Sequence, residues 1–134
     1  MMKVLIVDNS ETIREMISKV LEEKKISSIE AENGADGLSK LRKNHLDIGL
    51  IVLDWNLPIM DGYKTLTKIR SNQEYSDIKI LMSTSESTHE TVVKSIQAGA
   101  NSYLLKPFKP LDLSTKIDEL MPNYSAIAKD TEKD

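Results

Sequence analysis

Ile48-Gly-Leu-Ile-Val-Leu-Asp-Trp-Asn-Leu-Pro-Ile-Met-Asp61 is the stretch that decides the fold of this chain. From Ile48 to Leu53 it is apolar but for one glycine, and it stops abruptly at Asp54. An apolar run of that length marks a strand covered on both faces, as in a parallel sheet. A strand ending in a lone carboxylate sets that carboxylate on the carboxyl rim of the sheet. In open parallel sheets, ligands bind along that rim. Pro58 sits in the loop after the strand, and Asp61-Gly62 closes it.

Outward from this stretch the same grammar repeats. Lys3 to Asp8 is a second apolar run ending in a carboxylate. Asn9 or Ser10 is placed to cap the next element, a helix with Ile13, Met16, Ile17, Val20 and Leu21 at helical spacing. Ile26 to Glu32 reads as a less apolar strand, at an edge. Asn33-Gly34 reads as a turn before a short helix marked by Ala35, Leu38 and Leu41. Beyond the central strand, Gly62 opens a third helix with Tyr63, Leu66 and Ile69 on one side. Ile78 to Ser83 is a fourth strand, and Val92, Val93 and Ile96 lie on a fourth helix closed by Gly99. Ser102 to Leu105 is a fifth strand. Pro110 suits the first turn of a last helix, with Leu113, Ile117, Leu120 and Met121 as its buried positions. Strict strand–helix alternation predicts an α/β fold, a five-stranded parallel sheet between two layers of helices. Residues 122–134 are polar and lack periodicity, so they read as a tail or the start of a linker.

Composition narrows the function. The chain has 134 residues, enough for one domain with a proper core. It has no cysteine, which excludes disulfides and thiolate metal sites. A net charge of -3 gives no reason to expect direct nucleic-acid binding. The apolar runs fall well short of the roughly 20 residues a membrane helix needs. The N-terminal run is too short for a secretory signal, so a cytoplasmic location is expected.

The chemistry comes from aligning the strand ends. They are Asp8, Asp54, Ser83-Thr84 and Lys106, and in a parallel sheet they share one edge. Two carboxylates this close repel unless a cation lies between them. A hard divalent ion, Mg²⁺ above all, fits that need. Asp54 is then a nucleophile able to form an aspartyl phosphate. Thr84 is placed to donate its hydroxyl to a phosphoryl oxygen, and Lys106 to neutralise the group.

At these residues the chain resembles the receiver domain of two-component response regulators, and most of all the single-domain chemotaxis regulators. The resemblance runs from Lys3 to Met121 and rests on V-D-N-S at 7–10, L-D-W-N-L-P-I-M-D-G at 53–62, M-S-T-S-E at 82–86 and S-Y-L-L-K-P-F at 102–108. It implies a receiver domain over residues 1–121, with a flavodoxin-like (βα)5 sandwich and strand order 2-1-3-4-5. It implies that Asp54 accepts a phosphoryl group from a sensor histidine kinase or phosphotransfer domain. Asp8, Asn9, Asp54 and the backbone carbonyl of Asn56 fall on its Mg²⁺ site, and Thr84 and Lys106 on its phosphate contacts. Tyr103 falls on the aromatic switch that moves with Thr84. Lys106-Pro107 falls where the family often has a cis peptide. Asn56 and Glu86 fall where members tune phosphoryl lifetime. The implied output is a downstream protein docking on the fourth helix, fifth strand and fifth helix. The implied chemistry is self-catalysed phosphorylation and dephosphorylation only, not an enzyme in the usual sense, in a monomer or weak dimer.

One departure stands out. The family usually has two adjacent acids after the first strand, and this chain has Asp8-Asn9, so weaker Mg²⁺ binding is expected. Asn9 also supports an alternative, a phosphorylation-independent interaction module with a degenerate pocket. A further alternative is the receiver fragment of a larger regulator with an output domain elsewhere. A flavodoxin-type cofactor binder fits poorly, because Asn9 to Thr12 offers no glycine to wrap a phosphate. A haloacid-dehalogenase phosphatase needs D-x-D, where this chain has Asp54-Trp-Asn56. Taken singly, Asp54, Thr84 and Lys106 could be an ordinary strand-end acid, a helix-capping residue and a solvated lysine, and Tyr103 simply packed. Their joint placement argues otherwise. Trp55 and Glu86 are expected to flank the pocket, and His45 and His89 to be isolated surface residues.

Overall fold

Five strands, β1 (Lys3–Val7), β2 (Ser27–Ala31), β3 (Ile48–Asp54), β4 (Lys79–Thr84) and β5 (Ser102–Leu105), form one parallel sheet in the order β2-β1-β3-β4-β5. Between and after them come α1 (Glu11–Glu23), α2 (Gly34–Asn44), α3 (Gly62–Arg70), α4 (His89–Gln97) and α5 (Pro110–Leu120). The computed structural model describes residues 2–85 and 88–122. The tail expected from 122 onward therefore lies, apart from Pro122, outside the described residues.

Strand alternation divides the core in two. Val4, Ile6, Leu50, Val52, Leu81 and Leu104 face α1 and α5, meeting Ile17, Leu21, Leu113 and Ile117. Leu5, Val7, Ile51, Leu53, Ile80 and Met82 face the other way, against Leu41, Leu66 and Ile69 of α2 and α3. The central strands bury both faces, which is why they read as unbroken apolar runs. Edge strand β2 is only partly covered, and its SSIEA sequence is correspondingly mixed.

Local chemistry sets the helix starts. Ser10 rather than Asn9 caps α1, accepting the Ile13 N–H at 3.2 Å. Asn33 caps α2, accepting the Asp36 N–H at 2.8 Å, so Asn33-Gly34 is a helix start and not a turn. Thr88 caps α4. Gly99 has φ 112, and a Cβ there would lie 2.6 Å from Arg70 Cγ, so both conformation and space call for glycine.

Some helix faces differ from the spacing-based reading. In α2, Ala35 is exposed, while Gly37 is buried against Val7. The helix approaches the strand so closely that a Cβ on Gly37 would lie 3.0 Å from Val7 Cγ2, which favours the smallest residue, and an apolar count does not see it. Tyr63 is only half-buried. In α4 the fully buried residue is Ser95; Val92 and Val93 are half-buried and Ile96 is exposed. The apolar side chains of α4 thus point partly to solvent. A short 3-10 turn, Gln73–Tyr75, precedes β4. His45 is half-buried there, edge-on to Tyr75 and 3.7 Å from Glu74, so it is not an isolated surface residue.

Candidate functional site

The carboxyl rim gathers Asp8, just past β1, Asp54 at the end of β3, and Lys106, just past β5. Both carboxylates are buried, at 2% and 6% exposure. Lys106 Nζ donates to Asp8 Oδ2 at 2.8 Å and lies 3.3 Å from Asp54 Oδ2. One ammonium therefore serves two acids. The remaining carboxylate oxygens accept backbone donors: Ser10 N–H on Asp8 Oδ1 at 2.9 Å, and Asn56 N–H on Asp54 Oδ1 at 3.2 Å. The floor is tied by main-chain bonds from Trp55 to Ser83 and from Lys106 to Thr84, each 2.8 Å. The Lys106–Pro107 peptide is cis. Gly62 lets α3 begin against the end of β3, since a Cβ there would sit 2.1 Å from the Asp54 carbonyl oxygen.

The other sequence candidates are distributed around this cluster. Thr84 is buried at the end of β4, next to the Asp54–Ser83 pair. Asn9 and Asn56 are exposed at the rim, and Asn56 Nδ2 lies 3.5 Å from Ser85 Oγ. Trp55 is half-buried and stacks at a tilt on Tyr63, 5.8 Å between ring centres. Tyr103 is not in the cluster: it is 37% exposed, with Lys116 Nζ 5.9 Å from its ring. Glu86 lies outside the described residues. Arg14 was not singled out from the sequence. Its guanidinium donates to the Asp8 carbonyl at 2.7 Å and to Glu30 at 3.0 Å, fastening the loop that carries Asp8 and Asn9. Its position in the first turns of an amphipathic helix, on the polar side, gave no signal.

A family model described as the response regulator receiver domain matches residues 4–118. The chain belongs to the response regulator receiver family. Among curated relatives, the receiver domain is similar to a chemotaxis protein CheY homolog of Campylobacter jejuni, 36% identical over 121 residues, 90% of this chain and 92% of that one. Among solved structures it is similar to chemotaxis response regulator CheY4 of Vibrio cholerae, with TM-score 0.83 and 32% identity over 90% of this chain and 98% of that one. It also shares its fold with a CheX–CheY–BeF3–Mg²⁺ complex from Borrelia burgdorferi, TM-score 0.84 at 21% identity, covering 90% of this chain and 89% of that one. The fold is thus flavodoxin-like and CheY-like, and the work of a receiver domain is phosphoacceptor signalling. Among the described residues no helix is long and apolar enough to cross a membrane.

In this receiver domain the electrostatics focus on Asp54. Burial, and then the charge of Asp8, push its carboxyl above the ordinary carboxylate range. Lys106 and the Asn56 N–H pull it down without cancelling that push. Two buried acids with one shared cation leave the pocket one unit negative. Its donors are all oxygens, which fits a hard divalent ion such as Mg²⁺. The residues present to hold one are Asp8, Asp54, Asn9 and the Asn56 carbonyl. Among the described residues no group of three or more Asp, Glu, His or Cys converges as a metal site, consistent with the uncharged Asn9. Asn9→Asp is therefore expected to tighten Mg²⁺ binding at least about tenfold, since an added charge a few ångströms from a dication is worth more than the roughly 1.4 kcal/mol this requires. Titration of Trp55 fluorescence with Mg²⁺ measures it.

Proposed function

We propose that this receiver domain is a phosphorylation-driven switch in which Asp54 takes a phosphoryl group from the phosphohistidine of a sensor kinase or phosphotransfer domain. The observation that carries this reading is the Asp8–Lys106–Asp54 cluster. It presents a buried carboxylate with little solvation, an acid beside it, and a lysine able to follow the charge. An Asp54 carboxylate oxygen forms the new bond to phosphorus. The P–N bond of the donor breaks, and the imidazole nitrogen keeps the electron pair. Lys106 then donates to one phosphoryl oxygen and the Thr84 hydroxyl to another. Such transfer depends on positioning and charge neutralisation more than on acid–base catalysis. A bound Mg²⁺ would supply further neutralisation of the phosphoryl charge.

Phosphorylation and hydrolysis of Asp54 are the only reactions this reading assigns, so the protein is not an enzyme acting on other substrates. Asn56 and Glu86, two residues beyond Asp54 and Thr84, orient water and keep the phosphoryl state short-lived. Thr84 and Tyr103 relay the change as a population shift between two packings. The receiving face is α4, β5 and α5, where Ile96, Tyr103, Leu105 and Leu111 are exposed apolar side chains suited to a downstream protein. The Borrelia burgdorferi CheY joins a protein partner, a phosphoryl mimic and Mg²⁺ in one complex, which supports the same combination here.

A second reading, an interaction module that is never phosphorylated, is favoured by the uncharged, exposed Asn9 and by Lys106 already satisfying both acids. Beryllofluoride with Mg²⁺ separates the two. On the first reading it binds wild type, with a change in Trp55 emission, and fails to bind Asp54→Asn. Equal responses from both proteins, or no response from wild type at millimolar Mg²⁺, favours the second.

A further inference from the structure

We infer that Ser83 is a positioning residue for Lys106, its hydroxyl accepting the ammonium once Asp8 and Asp54 turn to a divalent ion and a phosphoryl group. This deepens the function proposed above and rests on it. Ser83 is fully buried, and among the described residues its Oγ is the side-chain polar atom buried without a hydrogen-bond partner. An orphaned buried hydroxyl is costly, and natural proteins retain few.

Its place in the sheet gives the reason. Ser83 pairs with Asp54 across β3–β4 and with Leu104 across β4–β5. Leu50, Val52, Leu81 and Leu104 face α1 and α5. By alternation, Asp54, Ser83 and Lys106 continue that same face. Lys106 comes just after β5, yet its ammonium reaches Asp8 beyond β1. Its stem must therefore cross the carboxyl end of β4, on the face that carries Ser83.

Room for that stem explains a small residue, but alanine would give the room with no polar penalty. The hydroxyl needs a separate reason, and charge balance offers one. In the metal-free protein the ammonium spends its donors on Asp8 and Asp54. With both acids engaged by a divalent ion, the ammonium must find other acceptors. A phosphoryl oxygen is one. Withdrawal along its own stem brings it over Ser83 Oγ as another. The orphan thus belongs to the resting pocket and is satisfied in the loaded one.

Ser83→Ala, made in the full chain, reads this through two measurements of opposite sign. Without divalent metal, its Tm should rise by about 2–5 °C as the orphan is removed. With Mg²⁺, its affinity for beryllofluoride, monitored by Trp55, should fall about five- to tenfold. A packing role would move both in the same direction. Loss of affinity without a drop in Tm supports the inference. Affinity equal to wild type, or a Tm that falls along with it, overturns it. Failure of wild type itself to bind beryllofluoride overturns the phosphoacceptor reading, and this inference with it.

Discussion

Lys106→Met is expected to abolish phosphoryl acceptance and to destabilise the metal-free protein by about 3 kcal/mol at neutral pH, because removing one partner leaves buried charge uncompensated. Lys106 is the cation paired with both carboxylates, Asp8 at 2.8 Å and Asp54 at 3.3 Å. Methionine preserves the stem, so packing changes little. The pH dependence identifies the cause. The carboxyl of Asp54 already sits above its ordinary range. A group raised on folding stabilises below its unfolded pKa, and that contribution is lost as pH rises through its folded value. Loss of Lys106 raises Asp54 further, which widens the window. The defect of the variant should therefore be large at pH 7 and shrink as the pH falls through the raised value of Asp54, where that carboxyl takes up a proton and its uncompensated charge is lost. Millimolar Mg²⁺ should also repair part of it. Urea unfolding at pH 7 and at lower pH, with and without Mg²⁺, measures this. A pH-independent loss would mean that lysine packing, not charge, holds the pocket.

Arg70→Met is expected to cost about 3 kcal/mol, roughly 10 °C in Tm, at any pH from 5 to 8, since bonds from a charged donor are worth about 1.5–3 kcal/mol each. Arg70 Nε donates to the Gly99 carbonyl at 2.8 Å, Nη1 to Tyr75 at 3.1 Å, and Nη2 to Ile78 at 2.8 Å and to Asn101 Oδ1 at 2.9 Å. All four acceptors are neutral oxygens. Burial lowers the guanidinium pKa from its usual value, but arginine stays charged throughout that range. Asn101 Oδ1 also accepts the Ile80 N–H at 2.8 Å, so one arginine fastens the end of α3 to the starts of β4 and β5. These starts lie at the opposite edge of the sheet from Asp54. The variant should lose stability and yet bind beryllofluoride normally while folded. A matching loss of beryllofluoride affinity would show that the two edges are coupled.

Strands and strand ends were legible in the sequence because both are set by simple rules. A strand covered on two faces must be apolar throughout, and Ile48–Leu53 and Lys3–Val7 largely are. Parallel connection then forces Asp8, Asp54 and Lys106 to one edge, and the Lys106–Asp8 bond realises that placement. The strand order itself came from the family resemblance, as alternation alone does not fix it. The features that stayed hidden depend on close approach and on polar pairing across the fold. Gly37 sits on the face of α2 that meets Val7, and Ala35 nearby in the same helix faces solvent. Arg14 and Arg70 look like ordinary polar positions of amphipathic helices, and several of their acceptors lie far away in sequence. Ile59 was equally silent: it is a β-branched residue at φ 69, 83% exposed, in the loop after Asp54. A branched side chain in the left-handed region is strained, and nothing in the local sequence announces it. The half-open face of α4 was hidden as well, since Val92, Val93 and Ile96 have the spacing of a buried stripe.

Acceptance of a phosphoryl group by Asp54, with a metal required, is tested most directly with phosphoramidate, a small P–N donor. The protein is incubated with it, with and without Mg²⁺, and the intact chain is weighed at short times. The expected result is the addition of one phosphoryl group that requires Mg²⁺, maps to Asp54 after borohydride reduction, and is absent from Asp54→Asn. No addition at millimolar Mg²⁺, or an addition that persists in Asp54→Asn, would contradict it.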